Sequence, residues 1–290
     1  MILVTGATGN VGTELVKQLW ARGEYVRALA RNRAHARAIT LPGLDLVEGD
    51  LNKPQSVARS LVGVDRLFIL IPSSAEVEKM QRSLVDAAKR SNVRHIVKLS
   101  QLGADERAEG RFQRYHGAVE SYIRRSGVPF TFLRPNLFMQ SLLNFRSTIS
   151  AKGEFYGLAG NGKVSLVDVR DIAAVAVRAL TEPGHEGKTY DITGPESLTH
   201  AEIADQLSKA LGKHIEYVDV APEPMREALV SLGLPPWQAD GVIEDYHHYR
   251  RGEAARVTSA VRDVTRNEPM PFFHFAQDYA RRFLGKAASA

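Results

Sequence analysis

MILVTGATGNVG, residues 1–12, is the stretch of sequence that decides the fold. A short apolar run breaks directly into three glycines with the spacing G-x-x-G-x-x-G, which predicts a strand, a phosphate-binding turn and the start of a helix. Gly6 allows a tight turn at the end of the strand, Gly9 lets a pyrophosphate approach the backbone, and Gly12 lets the helix pack closely against the strand. The sequence therefore predicts that a dinucleotide binds at the N-terminus of this helix.

The residues that follow the turn favour dinucleotide binding over a purely structural role for the glycines. Leu15, Val16, Leu19 and Trp20 are spaced as on one face of a helix, and a second apolar run, Tyr25–Ala30, comes next. Together they complete a β-α-β unit of about 30 residues, which is the setting in which such a turn holds a pyrophosphate.

Apolar runs and helical segments continue to alternate as far as residue 135. The further predicted strands are Leu44–Leu51, Arg66–Ile71, His95–Ser100 and Phe130–Arg134. Such alternation predicts an α/β protein in which helices cover both faces of a parallel sheet.

The alternation is less regular after Pro135, which indicates a second, smaller lobe. We expect residues 1–135 to form a nucleotide-binding domain whose sheet is completed by residues 164–193. Residues 136–163 and 194–290 are expected to form a smaller α/β carboxy-terminal lobe. Its predicted elements are a helix over 137–150, a helix after Thr199 with a capping box to Glu202, and a strand over 215–218. Residues 285–290 are expected to fray.

The composition excludes several kinds of site and partner. The 290 residues include no cysteine, which excludes disulfides, thiol catalysis and zinc–thiolate sites. The formal charge of +5 comes from scattered Lys and Arg, so no nucleic-acid partner is expected. No apolar run approaches a membrane span, and the first strand leaves no room for a leader peptide, so we expect a cytoplasmic protein. The segment Tyr246–Tyr249 is not expected to bind a metal, because its adjacent histidines point to different helix faces.

Arg31 is the residue expected to choose between the two nicotinamide cofactors. It follows the second predicted strand, about 20 residues after the glycine turn, where an NAD-selective site has Asp or Glu for the ribose 2′-hydroxyl. A guanidinium at this position binds a 2′-phosphate through paired hydrogen bonds and leaves NAD without its carboxylate partner. The sequence therefore predicts NADP(H) as the cofactor, while a solvated arginine at a strand end is the alternative.

The carboxyl ends of the predicted strands supply the remaining cofactor contacts. Asp50 and Leu51 end the third strand. They either contact the adenine of the cofactor or only form a turn, and the sequence leaves both roles open. Pro72 and Ser100 follow the fourth and fifth strands at the same edge. The full set of predicted cofactor-binding residues is Gly6, Thr8, Gly9, Asn10, Val11, Gly12, Arg31, Asp50, Leu51, Ile71, Pro72, Ser100, Pro135 and Phe138.

These motifs together resemble the atypical, NmrA-like short-chain dehydrogenases/reductases. The resemblance extends over nearly the whole chain and rests on Gly6–Gly12, Val26–Arg31, Gly49–Leu51, Ser126–Val128, Leu133–Pro135 and Val167–Asp171. The pattern, including Gly184–Lys188, is similar to that of bacterial NAD(P)H:quinone oxidoreductases and triphenylmethane reductases. The resemblance implies an NADP-binding Rossmann domain, that is, a Rossmann-type doubly wound parallel sheet, with a small substrate-binding lobe.

The larger superfamily relies on a Tyr-x-x-x-Lys pair on the helix after the fifth strand, with a serine before it. Ser100 matches the serine, but His116 stands at the tyrosine position and Glu120 at the lysine position. These two residues lie at i, i+4, so we expect Glu120 to orient the His116 imidazole, which serves as a proton donor near neutrality. We name His116, Glu120 and Ser100 as candidate catalytic residues; a surface His–Glu pair without a role is the alternative.

The missing tyrosine affects which acceptors suit the site. Hydride delivery to a simple ketone makes an alkoxide that needs a proton in the transition state. A quinone yields a delocalised phenolate, and a triarylmethyl cation is neutralised by hydride alone, so positioning against the nicotinamide supplies much of the rate. The resemblance and this argument predict an NADPH-dependent oxidoreductase that passes hydride to an aromatic acceptor such as a quinone or a cationic dye.

Two other functions stay open at this stage. One is an NADP(H)-binding redox sensor of the NmrA type, which acts through a regulatory protein partner. The other is a nucleotide-sugar epimerase-like protein, which the missing tyrosine weakens because that chemistry uses it as a base.

The residues after the sixth strand are expected to line a cleft for the acceptor near the nicotinamide. They are Asn136, Phe138 and Met139, followed by Phe155 or alternatively Tyr156. Aromatic and thioether groups suit flat, apolar acceptors, although such residues also fill cores. The expected partner is therefore a small aromatic molecule, and a homodimer is left open.

We predict that the purified protein binds NADPH more tightly than NADH, because only NADPH offers the 2′-phosphate to Arg31. Calorimetric titration with each cofactor measures the two dissociation constants. Tighter binding of NADH would contradict the assignment of Arg31.

Overall fold

Residues 1–285 are described by the structure, which is a computed structural model. The strands are β1 Ile2–Val4, β2 Val26–Ala30, β3 Asp45–Glu48, β4 Arg66–Ile69, β5 His95–Leu99, β6 Phe130–Pro135, β7 Glu154–Gly157, β8 Lys188–Ile192 and β9 Glu216–Asp219. The α-helices are α1 Asn10–Ala21, α2 Pro54–Ser60, α3 Val77–Arg90, α4 Arg111–Ser126, α5 Arg146–Lys152, α6 Val169–Thr181, α7 His200–Leu211, α8 Pro222–Ser231, α9 Pro236–Arg250, α10 Ala260–Thr265, α11 Phe272–Asp278 and α12 Ala280–Phe283. Residues 286–290, part of the predicted frayed end, lie outside the described residues.

Seven strands form one sheet in the order β3-β2-β1-β4-β5-β6-β8, and the pairings from β3 to β6 are all parallel. The order reverses between β1 and β4, which is the switch point at which open α/β sheets bind ligands. This topology confirms the predicted α/β fold with a doubly wound, Rossmann-type parallel sheet. Within residues 1–285, no helix has the length and apolar character needed to cross a membrane.

The central strands are buried on both faces, as their continuous apolar sequences predict. Leu3 and Val4 of β1, Phe68 and Ile69 of β4 and Val97 of β5 are all completely buried. Helix α1 packs against α6, and α3 packs against α4. The loops that follow β1 and β4 are therefore attached to the most rigid part of the sheet.

The chain divides into two compact units. The first contains Met1–Pro135 and Val169–Asp191, and the second contains Asn136–Asp168 and the chain from Ile192 onward. Residues 164–168, predicted to complete the sheet, instead group with the second unit. Val164 donates its N–H to the Leu198 carbonyl at 2.8 Å, and the Leu198 N–H returns a bond of 3.0 Å. Of the stretch 164–193 that was expected to complete the sheet, β8 lies at the edge of the sheet beside β6.

The second unit has its own small sheet and core. Strands β7 and β9 pair in parallel, and a cluster of buried apolar residues includes Phe155, Phe272 and Phe275. The predicted capping box of α7 is confirmed, since Thr199 and Glu202 bond to each other's backbone N–H groups. The helix predicted over 137–150 is a 3-10 helix, Met139–Phe145, followed by α5. Strand β7 was not predicted, because its four residues are too few for a pattern to appear.

A buried ion pair joins α4 to β6 in the first unit. The Glu120 carboxylate is completely buried and accepts two hydrogen bonds from the Arg134 guanidinium, at 2.9 and 2.6 Å. Arg124 adds a bond of 3.2 Å, and Ser100 donates its hydroxyl at 2.6 Å. The bonds to Glu120 raise the pKa of Arg134 above its ordinary value. Bidentate pairs of this kind fix geometry as well as charge.

The predicted pairing of Glu120 with His116 is wrong. Both residues lie on α4 one turn apart, but the carboxylate is occupied by Arg134, Arg124 and Ser100. A buried carboxylate is stabilised more by a bidentate guanidinium than by a neutral imidazole. Glu120 therefore holds α4 against the ends of β5 and β6.

We predict that Glu120→Gln lowers the free energy of unfolding by roughly 2–3 kcal/mol, because the partly buried Arg134 guanidinium loses its counter-charge. Urea unfolding of the whole chain measures the change. The matched control is Glu182→Gln, which removes an exposed partner of Arg178 and should cost less than about 1 kcal/mol. Equal costs for the two variants would show that the Glu120 pair does not stabilise the fold.

Candidate functional site

The turn after β1 is fastened to the end of β4. The Thr5 hydroxyl lies 3.1 Å from the carbonyl oxygens of Phe68 and Leu70, and it accepts the Leu70 N–H at 3.0 Å. Gly6 has a φ of +64°, and a Cβ there would lie 2.6 Å from the Leu70 carbonyl oxygen. Only glycine fits this turn, so the residue is fixed both by its backbone conformation and by its neighbours.

Helix α1 starts at this turn with its first amide groups open to a ligand. A Cβ on Gly12 would lie 2.1 Å from the Gly6 carbonyl oxygen, so a glycine is required for the helix to approach the strand this closely. Gly9 is the N-cap residue; no side chain caps the helix, and its first turn contains no acidic residue. Thr8, Gly9 and Asn10 are exposed. The uncapped amides and the helix dipole together suit a diphosphate.

Arg31 stands immediately after β2 with its guanidinium exposed. The nearby Arg33 donates to the Leu46 carbonyl oxygen, and the Asn32 side chain accepts the Ala34 N–H at 2.8 Å. In the part of the chain that the structure describes, Arg31 itself makes no hydrogen bond or ion pair. An unpaired arginine at this position fits a 2′-phosphate.

Asp50 forms a turn after β3. Its Oδ1 accepts the Asn52 N–H at 2.9 Å, and its own N–H donates to the Ser56 hydroxyl at 2.9 Å. These bonds correspond to the turn alternative for Asp50, and an adenine contact stays a prediction. Leu51 is half-buried and lines a groove between α2 and α3.

The other predicted cofactor residues of the first unit lie at or just after the carboxyl ends of β4, β5 and β6. Ile71 is buried and Pro72 is exposed after β4. Ser100 is buried, and its hydroxyl is engaged by Glu120. Pro135 is the last residue of β6 and is buried. The sheet thus brings these residues to the carboxyl edge, where Gly6 also lies.

His116 contacts a buried lysine that the sequence prediction missed. The Nζ atom of Lys98, on β5, lies 2.6 Å from His116 Nδ1, and it donates to the Leu99 carbonyl oxygen at 3.2 Å. Lys98 is completely buried, whereas His116 keeps partial exposure. A lysine inside an apolar run predicted to be buried is an anomaly, and it is the signal that could have identified this residue.

The surroundings of this pair lower both pKa values. Burial lowers the pKa of Lys98 to about 7, with Glu120 acting to raise it and Arg134 to lower it. Burial also lowers the pKa of His116 well below its ordinary value, and the positive charges of Lys98 and Arg134 act in the same direction. The imidazole is therefore neutral near pH 7, and Lys98 exchanges its proton in that range.

Tyr115 places this pair beside the edge of the sheet that carries the glycine turn. Its phenol oxygen lies 2.9 Å from the Ser73 hydroxyl, in the loop that follows β4. The Tyr115 and His116 rings lie with their centroids 4.2 Å apart. His116 is therefore held next to the loop that contains Pro72 and Ser73.

The predicted acceptor-binding residues belong to the second unit. Asn136 is buried, and its amide nitrogen donates to the Ser165 hydroxyl and the Ala254 carbonyl oxygen, each at 2.8 Å. Met139 and Phe155 are completely buried in the core cluster, which corresponds to the core-packing alternative. Phe138 is half-buried, and its backbone forms a bridge with Val167. Contact of any of the four with an acceptor stays a prediction.

Comparison with known proteins identifies the family. The sequence profile of the NmrA-like family matches residues 1–250. The NAD(P)H azoreductase of Xenophilus azovorans is 38% identical over 283 residues, which cover 98% of this chain and 99% of that protein. The NADPH complex of the NADPH-dependent quinone oxidoreductase from Escherichia coli superposes with a TM-score of 0.86 at 27% identity, covering 96% of this chain and 99% of that one.

A second solved structure agrees with this assignment. The triphenylmethane reductase of Citrobacter sp., complexed with NADP(H), has a TM-score of 0.85 at 28% identity and covers 97% of this chain and 100% of that one. The predicted family resemblance is confirmed. The chain belongs to the NmrA-like family.

Proposed function

We propose that this protein is an NADPH-dependent oxidoreductase that transfers a hydride to an aromatic acceptor such as an azo compound, a quinone or a cationic dye. The observation that carries the proposal is the uncapped N-terminus of α1, together with the unpaired guanidinium of Arg31 after the neighbouring strand β2. The first suits a diphosphate and the second suits a 2′-phosphate.

The relatives support both the cofactor and the class of acceptor. The three similar proteins are an NAD(P)H azoreductase, an NADPH-dependent quinone oxidoreductase and a triphenylmethane reductase complexed with NADP(H), so their acceptors are azo compounds, quinones and triphenylmethane dyes. We infer the same class for this chain, and we place its activity in the cytoplasm, where NADPH is supplied.

The residues of the first unit have distinct tasks in this reaction. The amides of Asn10 to Gly12 bind the diphosphate, and Arg31 binds the 2′-phosphate. Bound NADPH supplies the hydride. His116 passes a proton to the acceptor where one is needed, because its imidazole is partly exposed and contacts the Lys98 amino group at 2.6 Å. Glu120 and Ser100 hold α4 in place rather than exchange protons, because each is buried and bonded to the other.

We predict that Arg31→Ala raises the dissociation constant for NADPH about tenfold or more, because one charge-assisted contact is lost, and changes that for NADH little. The matched control is Arg37→Ala, which removes an exposed guanidinium from the 3-10 helix Arg33–Ile39 that follows β2. Calorimetric titration of both variants with both cofactors gives the comparison. A similar loss of NADPH affinity in both variants would assign the effect to general surface charge.

We predict that the protein oxidises NADPH in the presence of aromatic acceptors. The decrease in NADPH absorbance is measured against a panel of quinones, azo dyes and triarylmethane dyes, with a simple aliphatic ketone as the negative control. Turnover of the aromatic acceptors but not of the ketone supports the proposal. Tight NADPH binding without turnover of any acceptor would contradict it and favour a redox sensor that acts through a protein partner.

A further inference from the structure

Lys98 is a fully buried basic residue to which the proposed reaction has so far assigned no task. It lies in β5, where its backbone pairs with Ile69 of β4 on one side and Phe132 of β6 on the other. Both register partners are completely buried and apolar. Burying an ammonium in such a place is costly unless a specific partner receives its hydrogen bonds. Its partners are the Leu99 carbonyl oxygen and His116.

The contact with Lys98 determines which nitrogen of His116 carries the hydrogen. An ammonium group has donors only, so at 2.6 Å it requires Nδ1 to accept. The hydrogen of the neutral imidazole is then on Nε2. When Lys98 is an amine, it can accept instead, and the hydrogen can move to Nδ1. The protonation of one buried lysine thus selects the tautomer of the imidazole.

The opposite end of the imidazole is open. His116 is partly exposed, and its Nε2 has no hydrogen-bond partner in residues 1–285. The neighbouring Tyr115 ring and the Ser73 hydroxyl place it beside the loop after β4. The imidazole therefore contacts the buried Lys98 amino group through Nδ1 and has an accessible Nε2 at its other end.

No carboxylate among residues 1–285 forms a hydrogen bond with Lys98 or His116. Glu120 on α4 is close enough to favour the charged lysine, but its oxygens are bonded to Arg134, Arg124 and Ser100. Arg134 on β6 disfavours a positive charge on both Lys98 and His116. The proton on Lys98 is thus weakly held near neutral pH, and the path through His116 is the one that the contacts provide.

We propose that Lys98 is a positioning residue that holds His116 as the Nε2–H tautomer and replaces the proton that His116 gives to an azo acceptor. This inference rests on the proposed function and narrows it to acceptors that need a proton. A quinone or a triarylmethyl cation takes hydride without one, whereas an azo bond leaves a strongly basic nitrogen. The pair therefore adapts the site to N=N reduction.

The step balances in protons and electrons. One nitrogen of the azo bond receives the hydride with its two electrons from NADPH, the N=N π bond breaks, and NADP⁺ remains. The other nitrogen takes the proton of His116 Nε2, which gives a hydrazine. A proton moves from Lys98 to Nδ1, so the imidazole stays neutral and the lysine becomes an amine. Solvent then protonates Nε2, and Nδ1 returns its proton to Lys98.

The first test compares Lys98→Met with the wild type on two acceptors, an azo dye and a triarylmethane dye. We expect kcat for the azo dye to fall about tenfold to hundredfold in Lys98→Met, and KM to change less than threefold, because the loss is one of proton supply. The fold-decrease in kcat for the triarylmethane dye should be at least about ten times smaller than that for the azo dye, because hydride alone completes the reaction of the triarylmethane dye. The matched control, Lys89→Met, removes an exposed ammonium at the end of α3.

The pH profile supplies a second readout. Since Lys98 carries its proton below a pKa of about 7, wild-type kcat for the azo dye should fall as pH rises through that value. In Lys98→Met this limb should disappear. An unchanged azo profile in the variant, or an equal loss on both dyes, would overturn the inference.

Nitrogen NMR of the His116 ring tests the tautomer without turnover. In the wild type at pH 6 we expect hydrogen on Nε2 and an accepting Nδ1, with the Nδ1 signal shifting near pH 7 as Lys98 loses its proton. Hydrogen on Nδ1 at pH 6, or no such shift, would overturn the inference even if Lys98→Met failed to fold. Failure of the wild type to reduce any acceptor would instead count against the proposed function, which separates the two outcomes.

Discussion

The close approach of α1 to β1 is the constraint on which the rest of the first unit depends. At Gly12 even a methyl group would lie 2.1 Å from the Gly6 carbonyl oxygen, so the helix and the turn are in direct backbone contact. This contact directs the start of α1 toward the switch point between β1 and β4. The Thr5 hydroxyl fixes the same turn to β4. The position proposed for a diphosphate thus follows from steric requirements within the sheet.

Helix α4 shows how two neighbouring positions acquire different tasks. Glu120 is completely buried and is neutralised by Arg134, which joins the helix to the sheet. His116, one turn earlier, reaches a lysine and keeps one edge accessible. The resemblance to the larger superfamily placed the tyrosine and lysine of one catalytic pair at these two positions, and that equivalence stays a prediction. In this chain a lysine on β5 contacts the imidazole on α4, so the two groups are adjacent but are supplied by different elements.

Local sequence patterns predicted the fold because the interactions that form each strand, turn or helix end join residues that are close in sequence. The glycine spacing, the apolar runs and the capping box at Thr199 each depend on residues close in sequence, and the structure has the corresponding elements. Which side chain pairs with which across different elements could not be predicted from such patterns. The i, i+4 spacing suggested that Glu120 orients His116, but Arg134 from a different strand offered the stronger bond. The contact between Lys98 and His116 spans 18 positions and depends on strand register, which spacing does not reveal.

The bare start of α1 has a consequence for the lifetime of the protein. Because no side chain satisfies its first amides, we expect the diphosphate of the cofactor to complete the helix. A ligand that binds only the folded state at about 100 times its dissociation constant adds about 2.7 kcal/mol to the free energy of unfolding. Chains that lack bound NADP(H) are therefore expected to unfold more often and to be cleaved sooner by proteases.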